Sequence, residues 1–143
     1  MDRVTLQGHQ VVCSAFIEKD GKFLIVHCPR FNIWRVPGGR PNHGEKLEET
    51  LLREMKEELG VAFTNPQFIG WGQDQQFRVR SQQDTSRLIM FFKLTLQPED
   101  ILTIDPDEAE EIKWVTLEEL KNISDKEGAL TDLFNRNSGL KLD

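Results

Sequence analysis

The stretch from Gly39 to Val61, GRPNHGEKLEETLLREMKEELGV, constrains this chain more than any other. A glycine-bounded turn runs into residues with helical spacing. At about 100° per residue, Leu51, Leu52, Met55 and Leu59 share one stripe while Glu54, Glu57 and Glu58 share another. One face packs and the other gathers carboxylates. Like charges three and four apart cost an isolated helix about 0.2–0.5 kcal/mol per pair, and clustered carboxylates suppress each other's ionisation. A bound cation reverses that sign. Oxygen donors, with no cysteine or histidine at ligand spacing, point to a hard ion, Mg2+ or Mn2+, rather than zinc. Arg53 stands at i,i+4 to Glu57 and reaches back toward Glu45, which ties the turn to the helix. A glutamate-rich face taken alone is most often plain solvated surface. The spacing of the whole stretch argues otherwise.

From Gly39, five residues lead to Glu45 and seven more to Arg53-Glu54, followed by Met55, Lys56, Glu57-Glu58, Leu59, Gly60 and Val61. This resembles the Nudix box, G-x5-E-x7-R-E-U-x-E-E-x-G-U with U aliphatic, and every specified position is filled. The lead-in Trp34-Arg35-Val36-Pro37-Gly38-Gly39 is similar to the approach in that family. Asn42 stands where many members carry an acid, and Lys46 where many carry a Ser or Thr cap. The resemblance implies an α/β/α sandwich with a mixed β-sheet between helices. It also implies hydrolysis of a nucleoside diphosphate linked to another moiety, in the manner of MutT-like pyrophosphohydrolases. It carries over a backbone carbonyl at Gly38 as a metal ligand and an acid a few residues before Trp114, with Glu108 preferred to Glu111. Glu54, Glu57 and Glu58 are then the remaining metal ligands. Glu54 or Glu57 orients or deprotonates the attacking water, and Glu45 and Arg53 support them. The loop Asp105 to Glu111 is the alternative source of the base.

At 143 residues the chain fits one domain with one core. With 38% hydrophobic and 29% charged residues it reads as an ordinary globular sequence. No apolar run approaches the roughly 18 residues of a membrane helix, and no signal-peptide pattern opens it, so a cytoplasmic protein without membrane contact is expected. The two cysteines, Cys13 and Cys28, are expected as buried thiols. A net charge of -6 argues against polymeric nucleic acid, whose binding needs clustered Lys and Arg. A small phosphorylated partner remains compatible, because ions on the acidic face invert the local field. Monomer and homodimer both stay open.

Along the chain, residues 1 to 9 suggest only an extended arm. Val11 to Ile17 reads as a buried strand, Lys19-Asp20-Gly21 as a hairpin turn and Phe23 to His27 as its partner. His27 is expected to pack or lie at the surface, and His9 and His43 carry no ligand spacing. Trp34 to Val36 is a short extended piece. Arg30, Arg35 and Trp34, around the glycine turn, are candidates to meet the substrate. After Gly60 stops the helix, Phe68 to Trp71 and Gln76 to Arg80 read as strand pieces, Ser81 to Ser86 as a polar turn and Leu88 to Leu96 as an apolar strand. Trp71 and Phe77 are expected in the core rather than as platforms for a base. Ile112 to Val115 is a strand. Thr116 with Glu119, and Ser124 with Glu127, are each expected as a capping box opening a helix.

The activity expected is metal-dependent cleavage of a pyrophosphate linkage, leaning to nucleoside triphosphates. The chain has no tyrosine, so the downstream tyrosine associated with dinucleoside polyphosphate hydrolases is missing. The proline many ADP-ribose hydrolases carry in the mid-teens after the box is also absent. The alternatives are a non-catalytic Nudix-like nucleotide-binding or protein-interaction module, and a hydrolase of ADP-ribose or nucleotide sugars.

Overall fold

The computed structural model describes residues 4–28, 31–78, 82–105 and 111–142. Its elements are β1 (Val4–Lys19), β2 (Lys22–Cys28), β3 (Ile33–Arg35), β4 (Gly38–Gly39), α1 (Leu47–Leu59), β5 (Gln67–Arg78), β6 (Gln83–Thr95), β7 (Glu111–Val115), α2 (Leu117–Asn122) and α3 (Gly128–Arg136). The sheet runs β3-β2-β1-β6-β5, with β4 paired to β1 and β7 to β2. β1 and β6 are parallel at its centre and the other pairings are antiparallel, so the sheet is mixed.

Alternation along the central strands divides the core in two. Val12 and Phe16 of β1, Phe23 and Ile25 of β2, and Ile89 and Phe91 of β6 meet Leu120 of α2 and Ala129, Leu130, Leu133 and Phe134 of α3. Their neighbours Cys13, Ala15, Ile17, Leu24, Val26, Phe92 and Leu94 meet Leu51, Met55 and Leu59 of α1. Strands covered on both faces read as nearly continuous apolar runs, which is how Val11 to Ile17 reads. The expected sandwich, with helices on both faces of a mixed sheet, is the one found. Asp20 (φ 52°) and Gly21 (φ 77°) are both left-handed, as a two-residue hairpin turn requires.

Several local readings change. The arm expected at the start is strand from Val4, running beside β6 with a register shift between Thr5 and His9, where Gly8 has φ 75°. The two pieces expected around Trp71 and Gln76 are one strand, and β6 begins inside the expected polar turn, at Gln83. The Thr116–Glu119 capping box forms. The Ser124–Glu127 box does not: α3 starts at Gly128 with no side-chain cap, because Glu127 is drawn inward by Arg87 instead. Trp71 is not core. It is 37% exposed, with the Arg136 guanidinium 3.9 Å above its ring. The Phe77 side chain lies outside the described structure.

Two glycines let α3 lie directly on β5. A Cβ at Gly72 would overlap the Ala129 carbonyl, and one at Gly70 would sit 3.0 Å from Leu133 Cδ1. Asp132 of α3 then accepts the Gln73 N–H of the strand at 2.7 Å. Gly72→Ala is expected to lower stability by about 1–3 kcal/mol, because backbone rather than a flexible side chain has to yield. Gly139→Ala, with nothing within 4 Å of its Cβ position, is expected to change stability by less than about 0.5 kcal/mol. Denaturant unfolding of both variants checks this, and equal midpoints would contradict the tight approach.

Candidate active site

The site starts at the two-residue strand Gly38–Gly39. It pairs antiparallel with Cys13 and Ser14 of β1, and the Ala15 N–H donates to the Pro37 carbonyl at 2.9 Å. A side chain has no room at either glycine. A Cβ at Gly38 would meet Ser14 Oγ and the Cys13 carbonyl, and one at Gly39 would occupy the space of the Glu54 carboxylate. The Glu54 head group therefore lies directly on the glycine backbone.

The helix acids are organised by Arg53. Its Nε donates to Glu45 Oε2 at 2.7 Å. Its Nη2 donates to Glu45 Oε1 and to the Arg40 carbonyl, both at 3.0 Å, and its Nη1 to Glu54 Oε1 at 2.9 Å and Glu57 Oε2 at 3.2 Å. A guanidinium has five N–H groups, and these are five acceptors. The bridges to Glu45 and Glu57 read from the sequence are both present. Glu45 also accepts the Asn42 N–H at 3.0 Å and the Thr50 hydroxyl at 2.7 Å. Arg53, then Asn42 and Thr50, hold the Glu45 carboxyl at about 2, well below its ordinary 4.5. The hydrogen bond to Glu45 raises the Arg53 pKa against the effect of burial.

Arg53 takes one oxygen each from Glu54 and Glu57. Glu57 is exposed and Glu58 half-buried on the next step of the helix. Among the described residues, no three His, Cys, Asp or Glu side chains converge closely enough to hold a cation as they stand. Neighbouring carboxylates repel, and Arg53 is the positive charge they share. The field of these acids penetrates the core: burial first, then Glu48, Glu45 and Glu54, push the Cys13 thiol up to about 11. A donor set of carboxylates beside a glycine backbone with no side chains suits a hard divalent ion that relieves that repulsion.

At the far end of α1, Gly60 takes φ 73° and its N–H returns to the Lys56 carbonyl, while Thr103 N donates to the Leu59 carbonyl at 2.9 Å. Leu102 and Ile104 pack against the α1 side of the core. The segment that leads to Asp105 is thus fastened to the end of the acidic helix. Glu108 lies outside the described residues, as does Arg30. Glu111 is exposed where β7 pairs with His27 of β2.

The structure does not bring Trp34 to an open surface. It is 7% exposed in the α2–α3 core, with His27 packed against its ring at 5.1 Å and Lys113 Nζ over it at 4.6 Å. Its backbone exchanges hydrogen bonds with Asp125 and Glu127. Arg35 is half-buried on the same strand and contributes positive charge at Glu127.

Sequence reading missed a second polar cluster. Arg87 on β6 holds Asp74 on β5 through two bonds, at 2.8 and 2.6 Å, and reaches Glu127 Oε2 at 3.0 Å. Asp74 also accepts the Ala129 N–H at 3.0 Å. Burial pushes Glu127 up, and the charges of Arg87 and Arg35 offset only part of this. Burial pulls Arg87 down, but Asp74 and Glu127 together outweigh it. Glu127 Oε1, Thr85 Oγ1 and Gln10 Oε1 are buried with no hydrogen-bond partner. The available signal was Asp74 and Arg87 on paired strands, but their partner Glu127, just ahead of α3, is distant in sequence.

A glycine strand and an acidic helix are thus stapled together on one face of a mixed sheet. Residues 8–134 match the model of the NUDIX domain. The chain belongs to the NUDIX family and is a hydrolase acting on pyrophosphate bonds. It is similar to the uncharacterized Nudix hydrolase YvcI of Bacillus subtilis, at 24% identity over 133 residues, covering 92% of this chain and 82% of that one. It is also similar to the CTP pyrophosphohydrolase of Escherichia coli, at 27% identity over 112 residues, covering 76% of each chain. The crystal structure of a MutT protein from Methanosarcina mazei has the same fold, with a TM-score of 0.75, 20% identity and 96% coverage of both chains.

The Glu45 shift sets a pH window. A carboxyl depressed in the folded state stabilises fully above its unfolded value of 4.5, and that contribution is lost as pH falls toward about 2. The stability difference between the parent and Glu45→Gln is expected to be constant from pH 7 to 5 and to shrink below pH 4.5. Urea unfolding at stepped pH measures it, and a difference that grows on acidification would contradict the assignment.

Proposed function

We propose that this chain is a Mg2+- or Mn2+-dependent pyrophosphohydrolase of small nucleotides, with nucleoside triphosphates as its substrates. The observation that carries the reading is the convergence of Arg53 with Glu45, Glu54 and Glu57 against the side-chain-free Gly38–Gly39 backbone. Resemblance to a CTP pyrophosphohydrolase supports the triphosphate class. No helix among the described residues is long and apolar enough to cross a membrane. The free thiols of Cys13 and Cys28 support action in the reducing cytoplasm.

In this reading the Gly38 carbonyl, Glu54, Glu57 and Glu58 would hold the divalent ion, with Glu108 as a further ligand. When bound, the ion supplies charge neutralisation at the phosphates and Lewis-acid activation of a water. The chain's own groups do the rest. Glu54 or Glu57 orients the attacking water and accepts its proton. Arg53 limits the motion of both carboxylates, and Glu45 anchors Arg53 to the glycine turn. Arg35, on β3, and Arg30 are assigned to meet the substrate. No covalent intermediate is required, so no Ser or Cys nucleophile is assigned.

The test is a panel of nucleoside triphosphates, nucleotide sugars, ADP-ribose and dinucleoside polyphosphates, with and without Mg2+, with products separated by chromatography. Metal-dependent release of nucleoside monophosphate and pyrophosphate from triphosphates is the expected result. A panel that stays intact despite metal binding would favour a binding module. Glu57→Gln is expected to fold normally and lose most activity, roughly 100-fold or more as for other groups that act on transition-state charge. Parent-like turnover by this variant would remove Glu57 from the site. Glu108→Gln is expected to slow the reaction more than Glu110→Gln, and equal, negligible effects would return that loop to solvated surface.

A further inference from the structure

Glu45 is the hub through which the glycine turn and the helix acids communicate, and one of its contacts comes from a residue that the box motif does not specify. Thr50 lies in the first turns of α1 with 0% exposure. Its hydroxyl is 2.7 Å from Glu45 Oε1 and 3.2 Å from the Lys46 carbonyl. A hydroxyl has one proton to give, and the nearer, charged acceptor takes it.

Glu45 Oε1 thus receives three donors: Thr50 Oγ1, the Asn42 N–H and Arg53 Nη2. They differ in how well they are fixed. Asn42 belongs to an exposed turn, and Arg53 is a long side chain with several rotatable bonds. Thr50 is short, stiff at χ1 through its β-branch, and enclosed by the packed side of the helix. It is the fixed point of the three.

We propose that Thr50 is a positioning residue for this site: its hydroxyl fixes the Glu45 carboxylate, Glu45 fixes the Arg53 guanidinium, and Arg53 sets the separation of Glu54 and Glu57. The consequence for metal binding rests on the reading of Glu54 and Glu57 as metal-holding carboxylates. The relay from Thr50 to Arg53 does not.

Two substitutions separate positioning from packing. Thr50→Val keeps the volume, removes the donor and turns a methyl toward a carboxylate oxygen, whereas Thr50→Ser keeps the donor and loses a methyl. The primary readout is solvent exchange of the Arg53 Nε–H by 15N NMR, assigned by its disappearance in Arg53→Lys. The second is the affinity for Mn2+ alone, from the electron paramagnetic resonance of the free ion. The third is the thermal midpoint. Thr50→Val is expected to speed the exchange about tenfold and weaken Mn2+ binding about fivefold, within the range for losing one ordinary hydrogen bond. Thr50→Ser is expected to match the parent in both, even where its midpoint is the lower of the two. Thr50→Ala stands in if the valine variant does not fold.

Unchanged exchange in Thr50→Val, equal acceleration in both variants, or an unprotected Nε–H in the parent would overturn the proposal. If the exchange pattern holds while the parent binds no Mn2+ and hydrolyses no nucleotide, the functional reading falls and the relay stands. If the parent hydrolyses nucleotides and Thr50→Val matches it in every readout, the function stands and the role of Thr50 falls.

Discussion

Glu54 and Glu57 on neighbouring turns of α1, and Glu45 just ahead of it, repel each other, and the structure answers with a single guanidinium. Arg53 takes Glu45, Glu54, Glu57 and the Arg40 carbonyl at once. The bidentate bond to Glu45 fixes its plane, and that plane decides where the Nη1 hydrogens point. Lysine offers three donors from a point charge and cannot reproduce this fork. The glycine turn, the first turn of α1 and the acidic face are therefore one mechanical unit. Its other side is anchored in the core by Leu51, Met55 and Leu59, all essentially buried.

The acidic helix was legible in the sequence because its information is local. Stripe, stop and bridge all lie within the 39–61 stretch, and a short-range pattern survives without knowledge of the fold. The β1–β2 hairpin and the Thr116–Glu119 cap were legible for the same reason: each is decided by neighbours a few residues apart. The Ser124–Glu127 capping box failed because its signature names only local partners. Glu127 is offered a buried guanidinium 40 positions upstream, a stronger partner than the N-terminus of a nine-residue helix. Trp71 was misjudged on similar grounds, since its cover is Arg136, a residue of another element. Trp34, read as a substrate contact from its place beside the glycine turn, is held in the core by strand pairing and by α3.

The two sides of the sheet carry different electrostatics. On the α1 side, charge gathers in a part-buried network that reaches the surface at Glu57. On the α3 side, Asp74, Arg87 and Glu127 form a largely buried group in which two acids share one guanidinium and Glu127 Oε1 has no hydrogen-bond partner among the described residues. Such groups stabilise less than their short distances suggest, because desolvation opposes the attraction. They do fix geometry: here Asp74 also receives the Ala129 N–H in the first turn of α3.

The parallel pairing of β1 with β6 has a consequence in time rather than in space. Residues 4–19 find their central partner only at residues 83–95. The surface that α1 rests on includes Phe92 and Leu94 from that late strand. Closing so long a loop costs chain entropy before its contacts repay it. A ribosome that has finished the acidic helix has therefore made the whole 39–61 stretch, but not yet the floor it stands on. The enzyme becomes competent only once the second half of the sheet has threaded in beside the first strand.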